Sequence, residues 1–320
     1  MKRLAVITSG GDSSGMNAAI RGFTRTALFE GIEVYGFYHG YKGLMNDEKV
    51  VMDSGFVGGI ITAGGTVLRT ARCEEFRSPE GRKDAVKILR KNEIDGLAII
   101  GGDGSLSGAL ALYEEHEFPV IGIPASIDND IYGTEFSIGF DTAVNTALEA
   151  IDKIRDTAYS HDRVFVVEVM GRLNGFIALD VALAAGAEAV ILPEVHHSLP
   201  DICENLKLMR EKGKRSSIIV VAEGAAHAND VRNFIAEYTG FETRYLVLGH
   251  MQRGGSPTAF DRVLALRFGS EAAYHLMQGH AGEMVGIEAE KVKCLPLSRA
   301  LGIERTIDMD KLKLVQTMSV

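Results

Sequence analysis

Cysteine is scarce and poorly placed for cross-linking: Cys73, Cys203 and Cys294 are the only three in 320 residues. An odd, widely spaced set without a CxxC or Cys/His pattern excludes a disulfide framework and a cysteine-based zinc site, and points to a reducing, cytoplasmic setting. Positive charge is also in deficit. The 34 Lys and Arg against 43 Asp and Glu leave a formal net charge of -9, which argues against nucleic acid or an anionic membrane as the main partner. Anionic substrates must then be met by local arginines. Long hydrophobic runs are missing: the stretch from Phe176 to Leu192 is interrupted by Asp180 and Glu188 and is no membrane span. The opening Met1-Lys2-Arg3-Leu4-Ala5-Val6-Ile7 enters a strand directly, with too short an apolar region for a signal peptide. Both dinucleotide and P-loop fingerprints, GxGxxG and GxxxxGK[ST], are absent.

What is present is a chain of 46% hydrophobic residues with 36 glycines, long enough for about two domains of roughly 150 residues each. Short apolar runs at Leu4–Thr8, Gly96–Ile100, Val120–Ile123, Val164–Val169, Ile218–Ala222 and Tyr245–Leu248 read as buried strands. Between them, Ala18–Phe29, Asp84–Lys91, Ser107–Glu115, Thr142–Thr157, Asp201–Glu211, Asp230–Tyr238 and Asp261–Met277 carry helical periodicity. The alternation predicts an α/β fold with doubly wound parallel sheets. No Pro/Ser-rich linker or sharp repeat marks a boundary. We place one near Gly139 and its return near Gln252, so that residues 1–139 with 253–306 form one domain and 140–252 with 307–320 the other.

Open parallel sheets bind ligands at the carboxyl ends of their strands, and here nearly every strand ends in a glycine or charged cluster. Ser9-Gly10-Gly11-Asp12-Ser13-Ser14-Gly15 and Gly101-Gly102-Asp103-Gly104-Ser105 each follow a strand and open a helix, whose free amides attract phosphate. Either alone is as readily a tight turn; two in one sheet suggest a nucleotide, with Asp103 placed for magnesium. Gly64-Gly65-Thr66 leads into Arg69, Arg72, Arg77 and Arg82, of which Arg72 is the best phosphate candidate. The sharpest signal is Ser126-Ile127-Asp128-Asn129-Asp130, where carboxylates two residues apart can divide the work of accepting and orienting a hydroxyl proton. Arg172 in Met170-Gly171-Arg172, and Arg253 in Gly249-His250-Met251-Gln252-Arg253-Gly254-Gly255, supply planar cations for phosphate. Glu223 is a natural acceptor for sugar hydroxyls, with helix capping as its plainer role.

In order and spacing these loops resemble bacterial ATP-dependent 6-phosphofructokinase over nearly the whole chain, most specifically at Ile127-Asp128-Asn129-Asp130 and Gly249–Gly255. The resemblance implies two domains, the first binding ATP and the second sugar phosphate, with the active site in the cleft between them. It implies that Asp128 deprotonates the C1 hydroxyl of fructose 6-phosphate and that Arg172 stabilises the transferring phosphoryl group. Asp103 would hold Mg2+, and Gly11, Arg72, Cys73, Gly102, Asp103, Gly104 and Ser105 would hold ATP. Ser126, Asp130, Met170, Gly171, Glu223, His250 and Arg253 would line the sugar site, while Arg163 and Arg244 would reach the 6-phosphate of a neighbouring subunit in a homotetramer.

Departures from the family pattern are unequal. Ser126 replaces a threonine, Ala125 a glycine, Ser14 a proline, and Phe176 an aspartate whose loss is expected to loosen the support of Arg172. Arg21, Arg25, Arg155, Glu188, Lys212 and Lys214 match an effector pocket for ADP or phosphoenolpyruvate, but Ser54 replaces an arginine, Gly59 an aspartate and Ser216 a histidine. Losing a charge-assisted phosphate contact of about 1.5–3 kcal/mol weakens effector binding tenfold or more. Blunted allostery is therefore expected, and strong ADP activation with phosphoenolpyruvate inhibition in effector titrations refutes it. Two rival readings are a pyrophosphate-dependent phosphofructokinase, whose relatives usually carry aspartate and lysine where this chain has Gly104 and Ala125, and a non-catalytic sugar-phosphate or nucleotide sensor, which has no need of Asp128 or Arg172.

Overall fold

The computed structural model describes residues 1–319. Along the chain lie strand β1 (Arg3–Ser9), helix α1 (Met16–Phe29), β2 (Glu33–Phe37), α2 (Gly40–Met45), β3 (Lys49–Val51), α3 (Pro79–Lys91), β4 (Gly96–Gly101), α4 (Asp103–His116), β5 (Val120–Pro124) and α5 (Phe140–Ser160). They are followed by β6 (Val164–Val169), α6 (Phe176–Ala185), β7 (Ala189–Ile191), α7 (Leu199–Glu211), β8 (Ser217–Ala222), α8 (Ala228–Thr239), β9 (Thr243–Val247), α9 (Ala259–Met277), β10 (Glu283–Glu288), β11 (Lys291–Pro296), α10 (Leu297–Gly302) and α11 (Met309–Met318). Two compact units result. The first comprises Met1–Ile127, Ile131–Thr142 and Arg253–Arg305; the second comprises Asp128–Asp130, Ala143–Gln252 and the chain from Thr306 onward.

The first unit holds a seven-stranded sheet in the order β11-β10-β5-β4-β1-β2-β3. Its inner pairings are parallel, and the edge strands β3 and β11 run antiparallel to β2 and β10. Successive side chains of a strand point to opposite faces, so Leu4 and Val6 of β1 enter one apolar layer with Phe23, Phe268 and Leu276. Ala5 and Ile7 enter the other, with Leu97, Ile99 and Leu106. This two-sided burial is why β1 reads as an unbroken apolar run rather than an alternating one. The second unit is a four-stranded parallel sheet, β7-β8-β6-β9. One face packs Val164, Val166, Ile219 and Val221 against Cys203, Leu206, Val231 and Ile235.

The parallel α/β class is as expected, and all six sequence-read strands occur. The last is shifted, because Thr243–Val247 replaces Tyr245–Leu248. β2, β3, β7, β10 and β11 were not expected: β3, β7 and β11 are edge strands, β3 and β11 alternate exposed and half-buried positions without a continuous apolar signal, and Gly36 in β2 and Gly286 in β10 interrupt their apolar runs. The apolar stretch from Phe176 splits into α6, buried on most sides, and the brief β7. A helix buried all round lacks the polar face that periodicity detects.

Two glycines let α1 and α9 cross at backbone distance. A Cβ on Gly269 would lie 2.2 Å from the Ala19 carbonyl oxygen, and one on Gly22 would lie 2.6 Å from that of Leu266. No side chain can yield there, so Gly269→Val must force the helices apart at a cost of about 3 kcal/mol. A thermal melt should show a lowered Tm.

Candidate active site

In the first unit the carboxyl ends of β1, β4 and β5 carry the predicted phosphate loops. Ser9 pairs in register with Gly101, which sets the two glycine clusters side by side. A Cβ on Gly10, whose φ is 84°, would stand 3.0 Å from Ser105 Oγ, and one on Gly102 would stand 3.9 Å from Ser126 Cβ. Arg253 Nη1 is 2.3 Å from the place a Gly11 Cβ would occupy. Thus Gly11, Gly102, Ser105, Ser126 and Arg253, assigned from sequence to two ligands, are brought together in one unit. Gly102 caps α4 in an extended conformation, Asp103 is the first helical residue and is exposed, and a side chain at Gly104 would meet nothing within 4 Å.

Neighbours that the sequence did not single out hold these loops. Tyr41 is buried, stacks on Phe76 with ring centroids 3.8 Å apart, and donates its hydroxyl to the Ser105 carbonyl at 2.7 Å. Burial pushes its phenol up, so it stays a donor. Asn17 donates to the carbonyls of Ala63 (3.0 Å) and Gly64 (3.2 Å) and accepts from the Val67 amide (2.7 Å), pinning the Gly64–Thr66 loop. Beyond that loop Arg72 is exposed. Cys73 lies 3.5 Å from Met45 Sδ, and burial raises its thiol pKa, so any part it takes in binding is as a neutral group. Ser14 replaces the family's proline with a gain: its hydroxyl donates to the Gly255 carbonyl at 2.9 Å. Asp261, buried near the start of α9, accepts from the Gly139 and Thr142 amides and the Thr142 hydroxyl. Burial nonetheless pushes its carboxyl up to about 6.

The second unit receives Asp128, Asn129 and Asp130. Asp128 is 4% exposed, and Asn129 sits in the left-handed region at φ 52°, which asparagine tolerates better than most residues. Arg172 shares that conformation at φ 54° without asparagine's tolerance, a strain of about 1 kcal/mol or more that surrounding structure must enforce. Glu223 enforces it. Its Oε1 accepts from the backbone amides of Gly171 (3.2 Å) and Arg172 (2.8 Å). Gly224 lets the turn approach, since a Cβ there would be 2.2 Å from the Arg172 carbonyl oxygen. Glu223 thus holds the backbone of the turn, and Phe176 is buried at the start of α6.

Gln252, 1% exposed, accepts from the Met170 amide at 2.8 Å and donates to the Ala143 carbonyl at 3.3 Å. In the sequence Gln252 stands only as one residue of its motif, and no local pattern marks it as buried. His250 is exposed in a short 3-10 turn. Arg163 and Arg244 both pair with Glu242, at 2.8 and 2.7 Å, and Arg163 in turn draws the Glu242 carboxyl below its usual range.

The effector-pocket matches are divided between the two units. Arg21 and Arg25 donate to the carbonyls of Val57 and Ser54 in the first unit. In the second, Arg155 donates to the Ala185 carbonyl, Glu188 pairs with Lys214, and Lys212 and Glu188 line a cavity of about 470 Å³.

Glu223 gives a separable test. Glu223→Ala orphans two amides, each costing about 1–3 kcal/mol, and should release the Arg172 turn, lowering kcat about tenfold to a hundredfold. Glu223→Gln keeps an acceptor for both amides and should lose much less of kcat. Steady-state kinetics distinguishes the two.

Parallel sheets with glycine-rich helix entries, an exposed helix-start aspartate and a braced arginine turn define an α/β enzyme class that handles phosphorylated ligands. Residues 3–276 match the phosphofructokinase family model, and the chain belongs to that family. It is 54% identical over all 320 residues, and over the full length of the relative, to an ATP-dependent 6-phosphofructokinase of Halalkalibacterium halodurans. The phosphofructokinase of Pichia pastoris, crystallised in its T-state, superposes with a TM-score of 0.89 at 38% identity, covering 94% of this chain and 35% of the yeast chain. A pyrophosphate-dependent phosphofructokinase of Marinobacter aquaeolei superposes at TM-score 0.86 with 22% identity, covering 99% and 91%, and shows the shared fold alone.

Proposed function

We propose that the protein transfers the γ-phosphoryl group of ATP to the C1 hydroxyl of fructose 6-phosphate, giving fructose 1,6-bisphosphate and ADP in the glycolytic direction. The observation that carries this is the 54% full-length identity to an ATP-dependent 6-phosphofructokinase. The bare Gly104 and small Ala125 support ATP over pyrophosphate as donor.

Asp128 accepts the C1 hydroxyl proton, a task for which an ordinary carboxylate suffices because the transition state is loose. Arg172, fixed by Glu223, offers its guanidinium to the charge on the transferring group. Gly11, Arg72, Cys73 and Gly102 to Ser105 hold ATP; Ser126, Asp130, Met170, Gly171, Glu223, His250 and Arg253 hold the sugar. Asp103 fits Mg2+: it is an exposed oxygen donor at a helix start among glycines, and magnesium commonly takes one or two carboxylates with phosphates and waters. When bound, the ion neutralises charge on the phosphates. Arg163 and Arg244 reach the 6-phosphate of a second copy in a cytoplasmic homotetramer, leaving Glu242 to do so. ADP and phosphoenolpyruvate act weakly at Arg21, Arg25, Arg155, Glu188, Lys212 and Lys214.

Turnover measured with ATP or pyrophosphate against fructose 6-phosphate and tagatose 6-phosphate tests donor and acceptor together. Activity with ATP and fructose 6-phosphate is expected; turnover with pyrophosphate alone reverses the donor assignment. Binding of both ligands without turnover favours a sensor.

A further inference from the structure

Within the first unit and outside the residues assigned above, the end of α9 and the start of β10 gather four titratable side chains. Glu271 and His275 are one helical turn apart, with His275 Nε2 3.4 Å from Glu271 Oε1. Gly279, at φ 85°, and Gly282, at φ 73°, then turn the chain back into Glu283, the first residue of β10. The His280 amide bonds to the His275 carbonyl at 3.0 Å, and the two imidazole centroids are 5.2 Å apart. His275 Nδ1 is 3.1 Å from Glu283 Oε2.

We propose that His275, His280 and Glu283 form a binding site for a divalent cation of the zinc class. One donor atom from each lies within 4.8 Å of the others, and this is the one such group among the described residues. Two imidazoles and a carboxylate select zinc, cobalt or nickel over magnesium and calcium, which prefer oxygen alone. Bonds of about 2.0–2.2 Å require the donors to close by roughly 1 Å. Rotation of His280, which is exposed, supplies that movement, and the remaining position is open to water.

Glu271 acts as a positioning residue. Its carboxylate, 3.4 Å from Nε2, stands behind the ring while Nδ1 faces Glu283, the order of groups by which a carboxylate orients a metal-bound imidazole. The cation takes the place between Nδ1 and Glu283 Oε2, now 3.1 Å apart. Cys294 lies outside the donor group, and burial beside Glu283 and Glu271 keeps it a neutral thiol.

The test is zinc titration of the chelator-treated full-length protein by equilibrium dialysis, in excess Mg2+. Wild type should bind one zinc per chain that magnesium does not displace. H280A, altering an exposed turn residue, should keep its thermal melt and lose that site by at least tenfold, and E271Q should bind about 10–100-fold more weakly. Cobalt in place of zinc should give visible absorption bands in wild type that are absent in H280A. The same zinc affinity and stoichiometry in H280A as in wild type, or no saturable binding by wild type, overturns the proposal.

Discussion

Replacing Asp128 with alanine should lower kcat by about 10²–10⁴-fold, the usual worth of a positioned general base, while KM for fructose 6-phosphate changes by only a few-fold. The expectation follows from placement. Asp128 is nearly fully buried in a short segment whose next residue, Asn129, already occupies a left-handed conformation, so the carboxylate is set by backbone geometry rather than by a mobile loop. Removing it leaves the sugar's other partners in place. An equal fall in kcat and kcat/KM marks an interaction made only in the transition state. Asp128→Asn, which keeps the shape and removes the base, should fall by a similar factor, with an unchanged melt separating lost chemistry from lost structure. A variant that binds the sugar normally and turns over within tenfold of wild type would remove Asp128 from the role of base.

Much of this was legible in the sequence because parallel strands buried on both faces announce themselves as apolar runs, and ligand loops follow their ends. β1, β4 and β5, with Gly10 to Gly15, Gly101 to Ser105 and Ser126 after them, were all read that way. What escaped depends on long-range packing. Tyr41 reaches Ser105 across 64 positions and Gln252 reaches Met170 across 82, and no local pattern encodes such pairings. Ser14, a departure from the family, was expected merely to be small, whereas the structure gives its hydroxyl a partner in Gly255. At the Arg172 turn the backbone amides are held by Glu223, 51 positions away. In both cases the sequence showed the residue but not its partner.

The proposed function puts donor selection at Gly104, a position where the fold makes no demand. Gly104 is the second residue of α4, and a Cβ there meets no protein atom within 4 Å. Aspartate at that place should cost the protein nothing: it replaces a poor helix former by a residue favoured in the first turn, worth about 0.3–1 kcal/mol through the helix dipole. Any loss of function in Gly104→Asp must then come from what the side chain does to a ligand. A carboxylate near a polyphosphate is repelled by about 4 kcal/mol at 4 Å in a partly screened site, and its bulk takes space from the rest of the nucleotide. Turnover with ATP should therefore fall about 10²–10³-fold while the melting temperature holds or rises. Undiminished ATP turnover in Gly104→Asp would mean that nucleotide selection lies elsewhere in the first unit, and that the open space above Gly104 is solvent rather than part of the donor site.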